Sequence, residues 1–78
     1  LFRSELAKEL QQLAALLADD DARAAKLVEG IAEKLRSLGQ GSVSAQLQKL
    51  IGKYEFEDAL EKLKETAKAL DVSLEIQG

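Results

Sequence analysis

The sequence predicts an all-α protein: an antiparallel up-down-up-down four-helix bundle over residues 1–70, followed by a short C-terminal tail over residues 71–78. Apolar residues recur every three or four positions in four successive segments, which is the period of an amphipathic helix. Short connections separate these segments, and short connections favour antiparallel neighbours. With 78 residues, the chain has room for one small domain.

The first segment predicts a helix with a leucine-rich stripe on one side. Three consecutive aspartates, Asp19 to Asp21, then interrupt the pattern. Aspartate accepts hydrogen bonds from the free N–H groups at a helix start and complements the positive end of the helix dipole, so we expect these residues to cap the second helix. The predicted stripe of the first helix consists of Phe2, Leu6, Leu10, Leu13 and Leu17.

The second segment ends as helices commonly do. Lys34 and Arg36 lie in its last predicted turns, where the helix dipole favours positive charge. Gly39 suits the left-handed position that often follows a helix, and the stretch 39–42 is predicted as a loop. The predicted apolar stripe of this helix consists of Ala24, Val28, Ile31, Leu35 and Leu38.

The third and fourth helices are predicted from the same periodicity. The third begins near Ser42, and Gly52 weakens its end. Glu55 or a neighbour is expected to cap the fourth, whose first turns are rich in acid. The two predicted stripes are Val43, Leu47, Leu50, Ile51 and Tyr54, and then Phe56, Leu60, Leu63, Ala67 and Leu70.

The tail from Asp71 to Gly78 has two interpretations. Val72, Leu74 and Ile76 alternate with polar residues, as in a strand, but a lone strand has no partner in an all-helical domain. Leu74 could instead continue the stripe of the fourth helix. We expect an extended or frayed tail.

Composition excludes several classes of function. The chain has no histidine and no cysteine, so it cannot use imidazole or thiolate for catalysis or metal binding. The three aspartates do not begin a calcium loop, because Ala24 stands where such a loop needs glycine. No serine lies in a nucleophile motif. We therefore expect a non-enzyme with no cofactor and no metal.

The charge of the chain limits the classes of partner that we expect it to bind. The formal net charge is −3, and no dense run of Lys and Arg is present. Nucleic acids and anionic membrane surfaces are recognised by such clusters, so we expect neither as a direct partner. The sequence has no apolar run of about 20 residues and no signal-peptide pattern, which favours a cytoplasmic location.

A glycine inside the second helix marks the candidate site. Glycine in a helix interior costs about 1 kcal/mol relative to alanine. Gly30 borders a polar stripe opposite the apolar one, and Lys26 lies one turn earlier. The glycine is either tolerated on a solvated face or keeps a surface open for close approach by another protein. The candidate partner-docking face consists of Lys26, Glu29, Gly30 and Glu33.

The segment from Tyr54 to Leu63 reads Y-E-F-E-D-A-L-E-K-L. It is similar to a (F/Y)-(D/E)-F-x-x-A-L-x-x-L ending in the C-terminal helical modules of bacterial hybrid sensor histidine kinases. Those modules resemble histidine-containing phosphotransfer (HPt) domains, and the resemblance covers about residues 5–70. It implies a cytoplasmic module of a phosphorelay protein, which can itself belong to a membrane-anchored sensor kinase.

The resemblance also extends to the candidate face. In active HPt domains the phosphoacceptor lies in an A-H-x-L-K-G stretch, which resembles the segment from Ala25 to Gly30. Lys26 then stands at the histidine position and Glu29 at the lysine position, while Ala25 and Gly30 match. This implies a module that docks a receiver domain, of a response regulator or of the same polypeptide, without accepting phosphate.

A structural homodimer is the alternative reading. The spacing of three and four residues in the first, second and fourth helices matches the seam of a coiled coil, and two copies could share such a seam. An enzyme or a carrier protein is disfavoured, because no constellation of residues supports one.

Overall fold

A computed structural model describes residues 2–71, with side chains from residue 5 onward. Within this range the chain forms four α-helices: α1 (Phe2–Ala18), α2 (Ala24–Ser37), α3 (Gly41–Gly52) and α4 (Phe56–Ala69). The predicted all-α class and four-helix arrangement are confirmed. The predictions for the Phe2 side chain and for the tail beyond Asp71 lie outside what the structure describes.

The helices pack as a ring in chain order. Each helix contacts the ones before and after it, and α1 contacts α4. The connections are short, at residues 19–23, 38–40 and 53–55, which favours antiparallel neighbours. Lys34 on α2 forms an ion pair with Glu9 on α1. Both residues lie about equally far along the chain from the α1–α2 connection, as an antiparallel hairpin requires.

The four stripes meet in one core. Large side chains from every helix interleave with buried alanines, which lets the helices approach closely. The two buried hydroxyls are satisfied locally: Ser44 donates to the carbonyl of Gly41 and Thr66 to that of Lys62, both at 2.8 Å. The largest fully buried apolar side chains are Leu6, Leu10, Leu13, Leu17, Ile31, Leu35, Leu47, Ile51 and Leu63. Four predicted stripe members pack as half-buried residues around them: Val43, Leu50, Leu60 and Leu70.

Every helix ends at a residue in the left-handed conformation. Gly39 is the glycine among them, with φ of 80°, and it confirms the predicted stop after α2. The residue after the turn donates back to a carbonyl in the last helical turn, which is the Schellman arrangement. These bonds are Asp21 to Leu16 (2.9 Å), Gln40 to Leu35 (2.8 Å) and Glu55 to Leu50 (2.9 Å). The other left-handed residues are Asp20 (54°), Tyr54 (60°) and Asp71 (58°).

Two predicted core positions are wrong. Leu38 is 42% exposed and Tyr54 is 74% exposed. Leu38 lies at the C-cap of α2, and Tyr54 is the left-handed residue that follows α3. The periodicity ends where the helix ends, so neither side chain continues its stripe. The loop before α3 is also shorter than predicted, because α3 begins at Gly41, one residue before the predicted start near Ser42.

The predicted aspartate cap is displaced by two residues: the N-cap residue of α2 is Arg23, without a side-chain cap, and Asp21 orders the turn before it. Its carboxylate accepts a hydrogen bond from the backbone N–H of Arg23 at 2.9 Å. Asp20 instead forms part of the turn that ends α1. Glu55 occupies the predicted N-cap position of α4, but its side chain makes no capping hydrogen bond.

Candidate protein-docking surface

The predicted face of α2 is exposed along its length. Lys26, Glu29, Gly30 and Glu33 are all exposed. The apolar stripe of α2 is buried on the opposite side of the same helix. Spacings of three and four residues place these four positions together on one side, away from the core.

Gly30 has no structural need to be glycine. A Cβ added there meets nothing within 4 Å, so no neighbouring helix excludes a side chain. Its φ also lies outside the left-handed region that favours glycine. The residue therefore leaves a gap in the side-chain cover of α2, and neither packing nor backbone conformation accounts for it.

An open groove of about 540 Å³ lies between α1 and the first turns of α2. Leu16 and Leu27 line this groove and pack against the core as half-buried residues, so they give the groove an apolar floor. Every ionisable side chain that lines it is cationic. The lining residues are Gln12, Ala15, Leu16, Arg23, Lys26 and Leu27.

The groove and the gap at Gly30 form one surface. Lys26 and Leu27 line the groove, and both lie one turn before Gly30 on α2. We call this combined area the α1–α2 surface: the predicted face of α2 together with the groove. One turn beyond Gly30, Lys34 pairs with Glu9 and links the two helices.

Sequence reasoning missed the groove because Leu16 and Leu27 lie off the predicted stripes. Each stands next to a core residue, Leu17 or Val28, and was absent from the one-stripe pattern. The signal that could have found them is a second apolar column beside the first. Leucines in two facing columns, one on α1 and one on α2, predict an apolar strip at the junction of the two helices.

The two cations of the groove differ in their surroundings. Arg23 donates from its guanidinium to the Asp21 carboxylate, with the shortest contact at 2.6 Å. This hydrogen bond, together with the one from the Arg23 backbone N–H, lowers the pKa of Asp21. The same side-chain hydrogen bond and the negative charge of Asp21 raise the pKa of Arg23. Lys26 forms no ion pair with any residue whose side chain is described. The uncompensated positive charge of the groove is therefore that of Lys26.

The surface has features that protein-binding sites use. It offers a half-buried apolar floor, a lysine ammonium and an open helix face. Within the described part of the chain, no three Asp or Glu residues are arranged to hold a metal ion.

Two further findings concern membrane-spanning helices and similarity to known proteins. None of the helices in the described range is long and apolar enough to cross a membrane. No family model, curated protein or solved structure matches this chain.

Proposed function

We propose that this chain is a non-catalytic protein-interaction module of a phosphorelay. Its α1–α2 surface docks a receiver domain without accepting phosphate. The observation that carries the proposal is the gap at Gly30, which is open, unexplained by packing and continuous with an apolar groove.

The resemblance to HPt modules supports a receiver domain as the partner. The segment from Ala25 to Gly30 that resembles the phosphoacceptor stretch lies on the exposed side of α2 or at its edge, apart from the core residue Val28. At the histidine position stands Lys26, which is exposed and unpaired among the described side chains. A protonated lysine has no lone pair with which to attack a phosphoryl group. Its charge can still attract one, since ammonium groups bind phosphate as point charges.

The apolar part of the surface supplies affinity. Docking needs desolvated contact area at its centre and polar groups at its rim. Leu16 and Leu27 provide the first, while Glu29 and Glu33 lie at the exposed edge. A partner helix that fills the groove can pass over α2 at Gly30, because no side chain stands in its way.

A matched pair of glycine substitutions tests the proposal. Gly30→Arg places a long side chain in the gap, whereas Gly52→Arg places the same side chain at the end of α3, where an added Cβ also meets nothing. The receiver domain of the same polypeptide, or of a response regulator encoded beside it, is titrated calorimetrically into each variant. We expect Gly30→Arg to weaken binding at least about tenfold, or 1.4 kcal/mol, and Gly52→Arg to leave it unchanged.

The helical content of both variants, measured by circular dichroism, controls for folding. Equal affinity of the two folded variants for the receiver contradicts the proposal.

A further inference from the structure

The leucine stripes that could have formed a dimer seam are already used within one chain. The stripe residues of α1, from Leu6 to Leu17, are buried against the other helices. Association of two copies therefore requires another surface. Among the described residues, the large hydrophobic side chains that are exposed are Leu38 and Tyr54, at 42% and 74%.

Tyr54 has a backbone conformation that is unfavourable for tyrosine, and its side chain is not buried. Its φ of 60° is in the left-handed region, which is unfavourable for an L-residue and rare for a bulky side chain. Glycine fills the equivalent position after α2, at Gly39. Residues kept in such conformations cluster at functional sites. The left-handed turn therefore does not account for a tyrosine at this position.

The Tyr54 ring is anchored on the edge of the core. Its centroid lies 5.8 Å from that of Phe56, at an interplanar angle of 56°. Phe56 is itself buried. The backbone N–H of Tyr54 donates to the carbonyl of Ile51 at 3.0 Å, which fixes the turn. An exposed aromatic side chain that is already ordered loses little entropy when a partner covers it.

Beside Tyr54 lies a basic groove at the end of α3. The groove has a volume of about 310 Å³, and the half-buried Leu50 is among its lining residues. Lys49 and Lys53 also line it, and both are exposed. Neither forms an ion pair with a described side chain, and α3 contains no carboxylate. Gln46 and Glu55 complete the lining.

Across the turn, the first turn of α4 is acidic. Glu57 and Asp58 are exposed, and neither forms an ion pair with a described side chain. Tyr54 thus stands in the chain between a basic helix end and an acidic helix start. Such a surface is complementary to itself when it is rotated by a two-fold axis, because each basic half then faces an acidic half.

We propose that a second copy of this chain docks here, with Tyr54 near the two-fold axis. Lys49 and Lys53 of each copy then face the partner subunit's Glu57 and the partner subunit's Asp58. In the ring of helices the α3–α4 side lies across from the α1–α2 side. The dimer therefore leaves both α1–α2 surfaces free.

The dimer is weak, because the corner of a small bundle offers less area than a standard interface. We expect a dissociation constant on the order of 0.1–1 mM. Sedimentation equilibrium and ¹⁵N chemical shifts are measured on the unmodified protein from about 0.05 to 2 mM. The expected result is a rising mean mass, with shifts centred on Tyr54 and its charged neighbours. A monomeric mass and unchanged shifts throughout overturn the proposal.

Charge reversal tests the two-fold arrangement directly. One variant carries Lys49→Glu and Lys53→Glu, and the other carries Glu57→Lys and Asp58→Lys. Each alone sets like charges against each other, so we expect each to be monomeric. An equimolar mixture restores both sets of opposite charges, and we expect a heterodimer at least as tight as the original dimer. A mixture that stays monomeric overturns the arrangement.

Substitution of Tyr54 has a matched control elsewhere in the chain. Tyr54→Gly and Asp20→Gly both relieve a left-handed residue after a helix. We expect Tyr54→Gly to weaken dimerisation at least about tenfold, or 1.4 kcal/mol, and Asp20→Gly to leave it unchanged. Equal dimerisation of the two variants removes Tyr54 from the interface. Should a reversed-charge variant fail to fold, the concentration series on the unmodified protein still decides the proposal.

Discussion

At the scale of single residues, Asp21 orders the turn that leads into α2. Its carboxylate accepts the backbone N–H of Arg23 and also binds the guanidinium of the same residue. A backbone-binding aspartate near the start of α2 could be predicted from the sequence, because aspartate readily accepts hydrogen bonds from free backbone N–H groups. The sequence does not show which of the three aspartates takes this role, because Asp20 occupies the left-handed position in the turn that ends α1.

The pKa of Asp21 gives a test at this scale. Hydrogen bonds from Arg23 lower it below the ordinary value of 3.8. The stabilisation from this contact is fully present above pH 3.8 and is lost as the pH falls through the lowered pKa of the folded state. We expect NMR titration of the carboxyl carbon to show the lowered value, and Arg23→Ala to return it toward 3.8. A pKa for Asp21 that does not respond to Arg23→Ala contradicts the assignment.

At the scale of helices, the interiors could be predicted more fully than the ends. Stripe residues such as Leu10, Leu35 and Leu63 are buried as the helical period predicts. The same period assigned Leu38 and Tyr54 to the core, where they do not lie. Glycine predicts the left-handed turn after α2. The turns after the other helices have Asp or Tyr at this position, and these residues do not predict a left-handed conformation.

Two glycines, one inside α2 and one just after it, should respond in opposite directions to substitution by alanine. Gly30 lies in the helix interior with open space around it, so Gly30→Ala should raise the free energy of unfolding by about 0.5–1 kcal/mol. Gly39 has a φ of 80°, so Gly39→Ala should lower it by about 1–2 kcal/mol. Urea denaturation measures both. Destabilisation by Gly30→Ala means that Gly30 has a structural role that its surroundings do not show.

The candidate site could be predicted in part for the same reason as the helices. The period places Lys26, Glu29, Gly30 and Glu33 on the exposed side of α2, and the structure shows them exposed. The groove beside them depends on how α1 and α2 meet. That is a tertiary feature, which a single helical stripe does not encode.

At the scale of the whole molecule, stability rests on one small core. A domain of this size buries only about 60–65% of the surface of its extended chain, so its stability margin is narrow. Leu13 lies fully buried in the middle of α1. The other helices contribute to the same cluster, so the bundle should unfold as one cooperative unit.

Leu13 and Leu38 both belong to predicted apolar stripes, but their substitution by alanine should change the free energy of unfolding by different amounts. Leu13→Ala leaves a cavity in the core and should lower the free energy of unfolding by about 2–5 kcal/mol. Leu38→Ala removes a side chain that is 42% exposed and should change it by less than about 1 kcal/mol. Thermal melts followed by circular dichroism compare the two. Equal losses of stability would place Leu38 back in the core.

The function of the whole molecule depends on the α1–α2 surface. The most direct measurement is a ¹⁵N NMR titration of this chain with the receiver domain, with and without a phosphate mimic bound to the receiver. We expect shifts centred on Lys26, Leu27 and Gly30, and stronger binding with the mimic, because its negative charge meets Lys26. Shifts confined to other surfaces, or none at several hundred micromolar receiver, would contradict the proposed docking function.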